Sequence, residues 1–315
     1  MFAIVIGVAI GIGLPIQTSI NSRLRRSVGT PFLASLISFT IGTLFLAATT
    51  LAIDHQLFFN PHLFRTQPAW LWIGGVFGVL YLTANILMFP KLGSVQTVIL
   101  PVFGQILMGL LIDNFGWFAA KTSPLTLVRL VGALLVVVGV VVTVAVSSWL
   151  LERRTYEATD KPAGRTTGLW FWRVLGVGVG MLSAAQSAIN GHLGKVLASS
   201  LNAAFISFFV GTLALILLNL VLHPRLQLSR PEGKPNPWWM WLGGIIGALF
   251  VLGNVYLVPI VGTGLTVVIV LVGLMTGSLL IDHFGWLGSQ RNPITPVQLV
   301  GLVIMIAGVA LIHLA

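Results

Sequence analysis

The chain has 315 residues, 57% of them hydrophobic and only 8% charged, with a mean hydropathy of +1.00. Soluble domains carry about 25% charged residues, so this composition excludes a water-soluble globular protein and places the chain in a bilayer. The net charge of +10 sits in short basic runs between apolar blocks, which assigns it to membrane topology rather than to nucleic acid, and zero cysteines exclude disulfides, thiolate metal sites and cysteine nucleophiles.

A membrane-spanning helix needs about 20 apolar residues. Taken in chain order, blocks of that kind fall at 2–22, 31–53, 69–90, 93–112, 126–150, 170–191, 201–222, 237–259, 262–281 and 294–314. The first block has no Lys or Arg before it and reads as a retained span rather than a signal peptide. The stretches between blocks are short. The longest, Glu152 to Thr167, has the composition of a linker. The expected organisation is a first five-helix repeat at 1–149, a cytoplasmic linker at 150–169 and a second five-helix repeat at 170–315.

The repeat is visible residue by residue when the sequence is shifted by 169 positions. Gln17 and Asn21 fall on Gln186 and Asn190, and Ser38, Phe39, Gly42 and Thr43 on Ser207, Phe208, Gly211 and Thr212. Trp70, Trp72, Gly74 and Gly75 fall on Trp239, Trp241, Gly243 and Gly244, and Asn85, Pro90 and Gly93 on Asn254, Pro259 and Gly262. Leu110-Leu111-Ile112-Asp113 and Phe115-Gly116-Trp117 meet Leu279-Leu280-Ile281-Asp282 and Phe284-Gly285-Trp286. Apolar bias alone does not pair Gln, Asn, Trp, Asp and Pro.

Five spans per repeat is an odd number, so the second repeat enters the membrane from the opposite side, as in many secondary transporters. With the termini outside, the inner loops hold Arg23, Arg25, Arg26, Lys91, Arg153, Arg154, Lys161, Arg165, Arg173, Arg225, Arg230, Lys234 and Arg291. The outer side holds Arg65, Lys121, Arg129 and Lys195. This bias predicts both termini outside.

The run Gln17-x-x-x-Asn21-x-x-Leu24, then Ala34-x-x-x-Ser38-Phe39-x-x-Gly42-Thr43, and the Leu-Leu-Ile-Asp-x-Phe-Gly-Trp signature resemble the YdcZ family of the drug/metabolite transporter superfamily. Both halves carry the likeness, so it covers nearly the whole chain apart from the linker. Many members are single five-helix units, and this chain is similar to two of them fused. The resemblance implies an all-α inner-membrane carrier of ten transmembrane helices in two inverted five-helix repeats. It also implies export of metabolites, and a central cavity surrounded by the first, third and fourth helices of each repeat. Many ten-helix relatives are drawn with cytoplasmic termini, opposite to the charge bias in this sequence.

The polar residues sketch the same cavity. An amide in hydrocarbon has to find a partner or face water. Gln17 and Asn21 share one helical face, as do Gln186 and Asn190. Asn85, Tyr81, Gln96, Thr97 and Gln105 add polar groups to the third and fourth spans. Asn254, Tyr256, Thr263, Thr266, Thr276 and Ser278 do so in the eighth and ninth, whereas the fifth and tenth are nearly bare, with Thr143 the one polar residue well inside. The competing reading is interhelical hydrogen bonding, worth about 0.6 kcal/mol per pair. The candidate substrate-binding set is Gln17, Asn21, Asn85, Gln186, Asn190 and Asn254.

Asp113 and Asp282 are the acids next to apolar cores, and a midplane carboxylate costs at least about 2.5 kcal/mol. Both precede Phe-Gly-Trp, which places them at an interface, either capping a turn or contributing to proton coupling. No Lys or Arg lies deep in a span, so a strongly anionic substrate lacks an obvious counter-ion. Pro90 and Pro259 are expected to end the third and eighth spans, and Pro15 and Pro101 to kink the first and fourth. The spacings Gly7/Gly11, Gly74/Gly78, Gly176/Gly180 and Gly243/Gly247 predict close helix packing.

The histidines lack metal-ligand spacing, and no phosphate-binding loop or hydrolase motif is present. The expectation is a transporter and not an enzyme, with no cofactor, no metal and no nucleic-acid partner. The partners expected are a small-molecule substrate and the lipid bilayer, and a homodimer is left open. Two rival readings stand beside it: a channel-like or accessory membrane protein, and an intramembrane enzyme acting on a lipid-linked substrate.

Overall fold

The computed structural model describes residues 2–57, 62–120, 122–142, 168–226, 228–229, 235–288 and 294–314. Among these, seven helices are long and apolar enough to cross a membrane. Three shorter apolar stretches, Leu127–Gly139, Ile269–Ile281 and Pro296–Ile312, complete the ten expected from the sequence. The expected linker at 150–169 falls almost wholly outside the described residues.

In chain order the spans are α1 (Phe2–Val28), α2 (Pro31–Ile53), α3 (Gly74–Leu92), α4 (Gln96–Phe115) and α5 (Leu127–Val141). The second repeat follows with α6 (Leu169–Leu197), α7 (Ser200–Leu222), α8 (Gly243–Val261), α9 (Thr263–Phe284) and α10 (Pro296–Leu314). Local chemistry sets the same boundaries twice. The Thr30 hydroxyl accepts the Leu33 N–H at 3.2 Å to start α2, with Pro31 in the first helical turn. Its repeat mate Ser199 accepts the Asn202 N–H at 3.0 Å to start α7. The Phe-Gly-Trp signature is a helix stop: Gly116 (φ 65°) and Gly285 (φ 64°) end α4 and α9 in the left-handed conformation that glycine adopts without steric cost.

Several span boundaries differ in detail from the sequence reading. Pro90 was expected to end a span, and the third span closes at Leu92, although the helical run carries on through the corner from Gly74 to Phe115 with Pro90 and Pro101 inside it. In the second repeat the corner is broken at Gly262 (φ 84°), immediately after the last helical turn, which contains Pro259. α1 also runs well beyond residue 22, because its polar end is bonded rather than solvated, as described below.

The helix directions follow from which residues meet. The start of α2 meets the end of α7, where the Asn219 amide donates to the Phe32 carbonyl at 3.3 Å. The end of α2 meets the start of α7, where Ser199 and Asn202 donate to the Asp54 carboxylate. These two repeat-equivalent helices are therefore antiparallel, which requires a pseudo-twofold axis across them and inverts one repeat relative to the other. Gly74 and Gly78 of α3 pack on Asn190 and Gln186, so α3 is antiparallel to α6. Gly104 of α4 packs on the Val177 carbonyl and Gly180 on the Pro101 carbonyl, and along the pair Leu100 meets Gly176, Gln105 meets Ser183 and Ile112 packs with Ala188, so α4 runs parallel to α6. The chain thus reverses between α3 and α4. The same contacts recur with the repeats exchanged: Gly243 and Gly247 on Asn21 and Gln17, Gly273 on the Val8 carbonyl, Gly11 on the Val270 carbonyl. A side chain at these glycines would collide with the neighbouring helix, which is how small residues allow backbones to approach in lipid.

The protein is therefore an all-α membrane protein of ten helices in two inverted five-helix repeats. The outward faces are apolar, as on α7, where Leu217, Leu220 and Val221 are exposed. In water such a surface would be unfavourable, whereas beside acyl chains it is matched.

Candidate functional site

The axis can be located by residues that touch their own repeat mates. The Phe39 and Phe208 rings stack with centroids 4.8 Å apart, and the Thr43 and Thr212 hydroxyls lie 2.8 Å apart. Beside this contact is a small void of about 30 Å³, room for roughly one water. Its walls come in repeat pairs: Gln17 with Gln186, Phe39 with Phe208, and Gly78 with Gly247. Leu82 with Val251 is a further pair of like kind, and two pairs are chemically unlike. Tyr81 stands opposite Phe250, and Ser183 opposite Leu14.

That difference makes one wall polar. The Tyr81 hydroxyl is hydrogen-bonded to Asn85 and Gln105, and the Gln105 amide donates to the Ser183 hydroxyl at 3.2 Å. On the other wall the mates are Phe250, Leu274 and Leu14, all buried among apolar neighbours. Asn254, the mate of Asn85, has no tyrosine beside it and donates to the Phe250 carbonyl of its own helix at 2.9 Å. The void is lined by the first, second and third helices of each repeat. The resemblance implied the first, third and fourth. α4 instead reaches the site indirectly, through Gln105, because its small residues are engaged against α6.

Of the six amides singled out in the sequence, the structure brings Gln17 and Gln186 together at the void. Asn85 stands behind Tyr81, and Asn254 is bonded within α8. Asn190 donates to the Ser207 hydroxyl at 2.9 Å and packs against Gly74, in the interface of α6, α7 and α3. Asn21 packs against Gly243, is fully buried, and neither its amide atoms nor the Ser38 hydroxyl has a hydrogen-bond partner among the described residues. Asp113 lies on the wall of a second, larger cavity, and the side chain of Asp282 is outside the described residues. Tyr81, Gln105 and Ser183 carry the polar wall, yet comparison of the two halves passes over them because each breaks the repeat.

The larger cavity has a volume of about 670 Å³, within the range of small-molecule sites. It opens at one face of the protein, between the ends of α4, α6, α8 and α10 and the start of α5. Asp113, Arg129, His192 and Lys195 supply its charged and titratable groups, and Val258, Pro259 and Ile312 part of its apolar wall. α6 borders both cavities. Its Ser183 and Gln186 face the void, while Gly191, His192 and Lys195 face this vestibule. At about 100° per residue these sets leave the helix on nearly opposite sides, so α6 is a wall between them.

At the equivalent place on the opposite face, the described residues are bonded to one another. The mate of partly exposed His192 is Arg23, which is buried at the end of α1. Its guanidinium donates to the Ser27 hydroxyl at 2.7 Å and to Asn236 at 3.3 Å. Ser27 donates to Asn236 at 2.8 Å, and the Ser229 N–H donates to the Ser27 carbonyl at 2.8 Å. The segment after α7 is therefore laced onto the end of α1, and Arg25 adds a bond to the Ile86 carbonyl at 3.0 Å.

Comparison with known proteins agrees with this architecture. The family model described as "Putative inner membrane exporter, YdcZ" matches twice, over residues 2–142 and 171–311. The chain is 26% identical to the Inner membrane protein YdcZ of Escherichia coli (strain K12) over 149 residues, which are 47% of this chain and 93% of that one. A solved crystal structure at 18% identity superposes with a TM-score of 0.62, covering 99% of this chain and 96% of the other, and supports the fold alone.

Proposed function

This chain belongs to the YdcZ family of inner membrane exporters, and we propose that it is a secondary transporter. It carries a small organic metabolite or amphipathic compound across the inner membrane by alternating access, in the export direction. The two repeats, 1–149 and 170–315, are the halves that rock against each other, joined by a cytoplasmic linker at 150–169. The charge bias puts the termini outside, and the vestibule then faces outward.

The observation that carries this reading is the asymmetry of a symmetric fold. Inverted repeats make two faces structurally equivalent, so a carrier alternates by exchanging their conformations. Here one face has a cavity of about 670 Å³ while the equivalent end of α1 is laced shut. The axial void, at about 30 Å³, is too small for a metabolite in this conformation. Displacement of α6 together with its glycine-packed partner α4 would join void and vestibule. The substrate then meets Gln17 and Gln186, with Tyr81, Gln105 and Ser183 on the polar wall, while Asn21 and Asn190 hold helices in register. Asp113 and Asp282, at equivalent ends of α4 and α9, are the candidate coupling groups.

The test is flux in proteoliposomes against a panel of metabolites. A carrier gives saturable flux that falls in Gln17→Ala and Gln186→Ala at equal folding. Non-saturating flux, or saturable flux unchanged in both variants, would overturn the assignment.

A further inference from the structure

The vestibule carries a charge pattern that the central amides do not. Arg129 and Lys195 reach it from different repeats, one from the start of α5 and the other from the last turn of α6. Arg129 is fixed at the wall: its Nη1 donates to the Ser123 carbonyl at 2.7 Å and its Nε to the Ile312 carbonyl at 3.3 Å. Both acceptors are neutral, so they orient the guanidinium without cancelling its charge. The Lys195 side chain is exposed and makes no hydrogen bond or ion pair among the described residues. His192 lies one turn before it, and Asp113 is the single acid on the described wall. The rest of the lining is largely apolar. With Arg129 and Lys195 against the one carboxylate the described wall is net positive, and such a concavity with low-dielectric walls concentrates anions.

The repeat strengthens this. The mates of His192 and Lys195 are Arg23 and Arg26, so the corresponding stretch of α1 is basic as well. A rocking motion that opened the other face would present cations there too. Basic groups at both ends and neutral amides at the centre suit a ligand whose charge is negative and whose body is apolar.

We propose that the vestibule is a binding site for an organic anion, an anionic head held by Lys195 and Arg129 with an apolar body against the α8–α9 corner. This rests on the transport reading and names the substrate class for it. The anionic head could belong to a soluble carboxylate or to a lipid, and the experiment separates these sources.

The full chain is placed in phosphatidylcholine nanodiscs and titrated calorimetrically with octanoate and, as the uncharged control, octanol. Octanoate is expected to bind about tenfold more tightly than octanol. Lys195→Gln is expected to remove most of that advantage and leave octanol unchanged. Arg129→Gln is expected to do the same, and Arg129→Lys to restore it in part, which separates loss of charge from loss of the Ser123 and Ile312 bonds. Equal affinity for octanoate and octanol, or octanoate binding untouched in Lys195→Gln, overturns the proposal. Repeating the titration with phosphatidylglycerol in the disc assigns the source. Weakened octanoate binding upholds the site as one for an anionic headgroup, and unchanged binding upholds it as one for a soluble anion. Charge-selective binding without saturable flux would keep the site and remove the carrier reading. Saturable flux without charge-selective binding would do the reverse.

Discussion

Thr43 and Thr212 occupy the same position in the two repeats, and their hydroxyls meet at 2.8 Å. Only residues on the axis can meet their own mates in this way, so the contact marks where the inverted halves turn about each other. One turn away the Phe39 and Phe208 rings do the same, each ring set against a glycine of the opposite helix, Gly211 and Gly42 respectively. Among the described residues one face carries a cavity and the other a set of bonds at the end of α1, and that difference is the basis of the functional reading.

The axial packing is sensitive to volume. A Cβ at Gly75 would collide with the Ser207 carbonyl, and one at the mate Gly244 with the Ser38 carbonyl. Backbone cannot move aside as a side chain can, so Gly75→Val is expected to cost about 1–3 kcal/mol. Thermal unfolding in detergent should show a lowered midpoint, with Gly244→Val shifting it in the same direction by a similar amount. An unchanged midpoint in both would contradict the close approach.

Tyr81→Phe copies what the second repeat already has at Phe250. It keeps the ring and removes the hydroxyl that joins Asn85 to Gln105. A net hydrogen bond is worth about 1 kcal/mol, so flux at subsaturating substrate is expected to fall about fivefold while the unfolding midpoint moves little. The converse variant, Phe250→Tyr, adds a hydroxyl to the apolar wall, among Leu14 and Leu274, and should not raise flux. Wild-type flux in Tyr81→Phe would remove the polar wall from the site.

The lacing at the end of α1 makes a prediction about access. Asn236 bonds Ser27 and Arg23 on one side and the Ser229 carbonyl on the other, at 2.9 Å. Asn236→Ala removes those bonds at once. The chain has no cysteine, so a single cysteine at Ser22 reports directly. Its modification by a water-soluble maleimide should accelerate in the Asn236→Ala background. No change in rate would mean that the lacing does not hold that face shut.

Much of the architecture was legible in the sequence because the repeat is written in residues that composition cannot mimic, and the paired Gly-x-x-x-Gly spacings correspond to the contacts observed. The site was legible only in part. Gln17 and Gln186 stand out because they are paired, and they reach the void. Tyr81, Gln105 and Ser183 are unpaired (their mates are Phe250, Leu274 and Leu14), so a comparison that looks for matches discards the positions where the halves diverged. Asn21 and Asn190 match in sequence and share one environment, yet only Asn190 finds its serine. The vestibule was not legible at all. It is assembled from separate segments, which no pairwise spacing records.

Orientation is a separate prediction, drawn from the basic residues of the loops. A C-terminal phosphatase fusion should be active and a C-terminal fluorescent-protein fusion dark, as required for a terminus outside. The opposite pattern would keep the fold and reverse which side the vestibule faces.

The central claim is reciprocal opening of two equivalent faces, and the most direct measurement uses a repeat pair. Ala188 lies on the vestibule wall, and its mate Ser19 is buried near the laced end of α1. Single cysteines at the two positions are labelled with a membrane-impermeant maleimide from their own sides of sealed vesicles, with and without Asn236→Ala. The account predicts that the cysteine at 188 reacts faster in the unaltered background. Loosening the lacing should then raise reactivity at 19 while lowering it at 188. Reactivity that rises at both positions together, or at neither, would contradict alternating access.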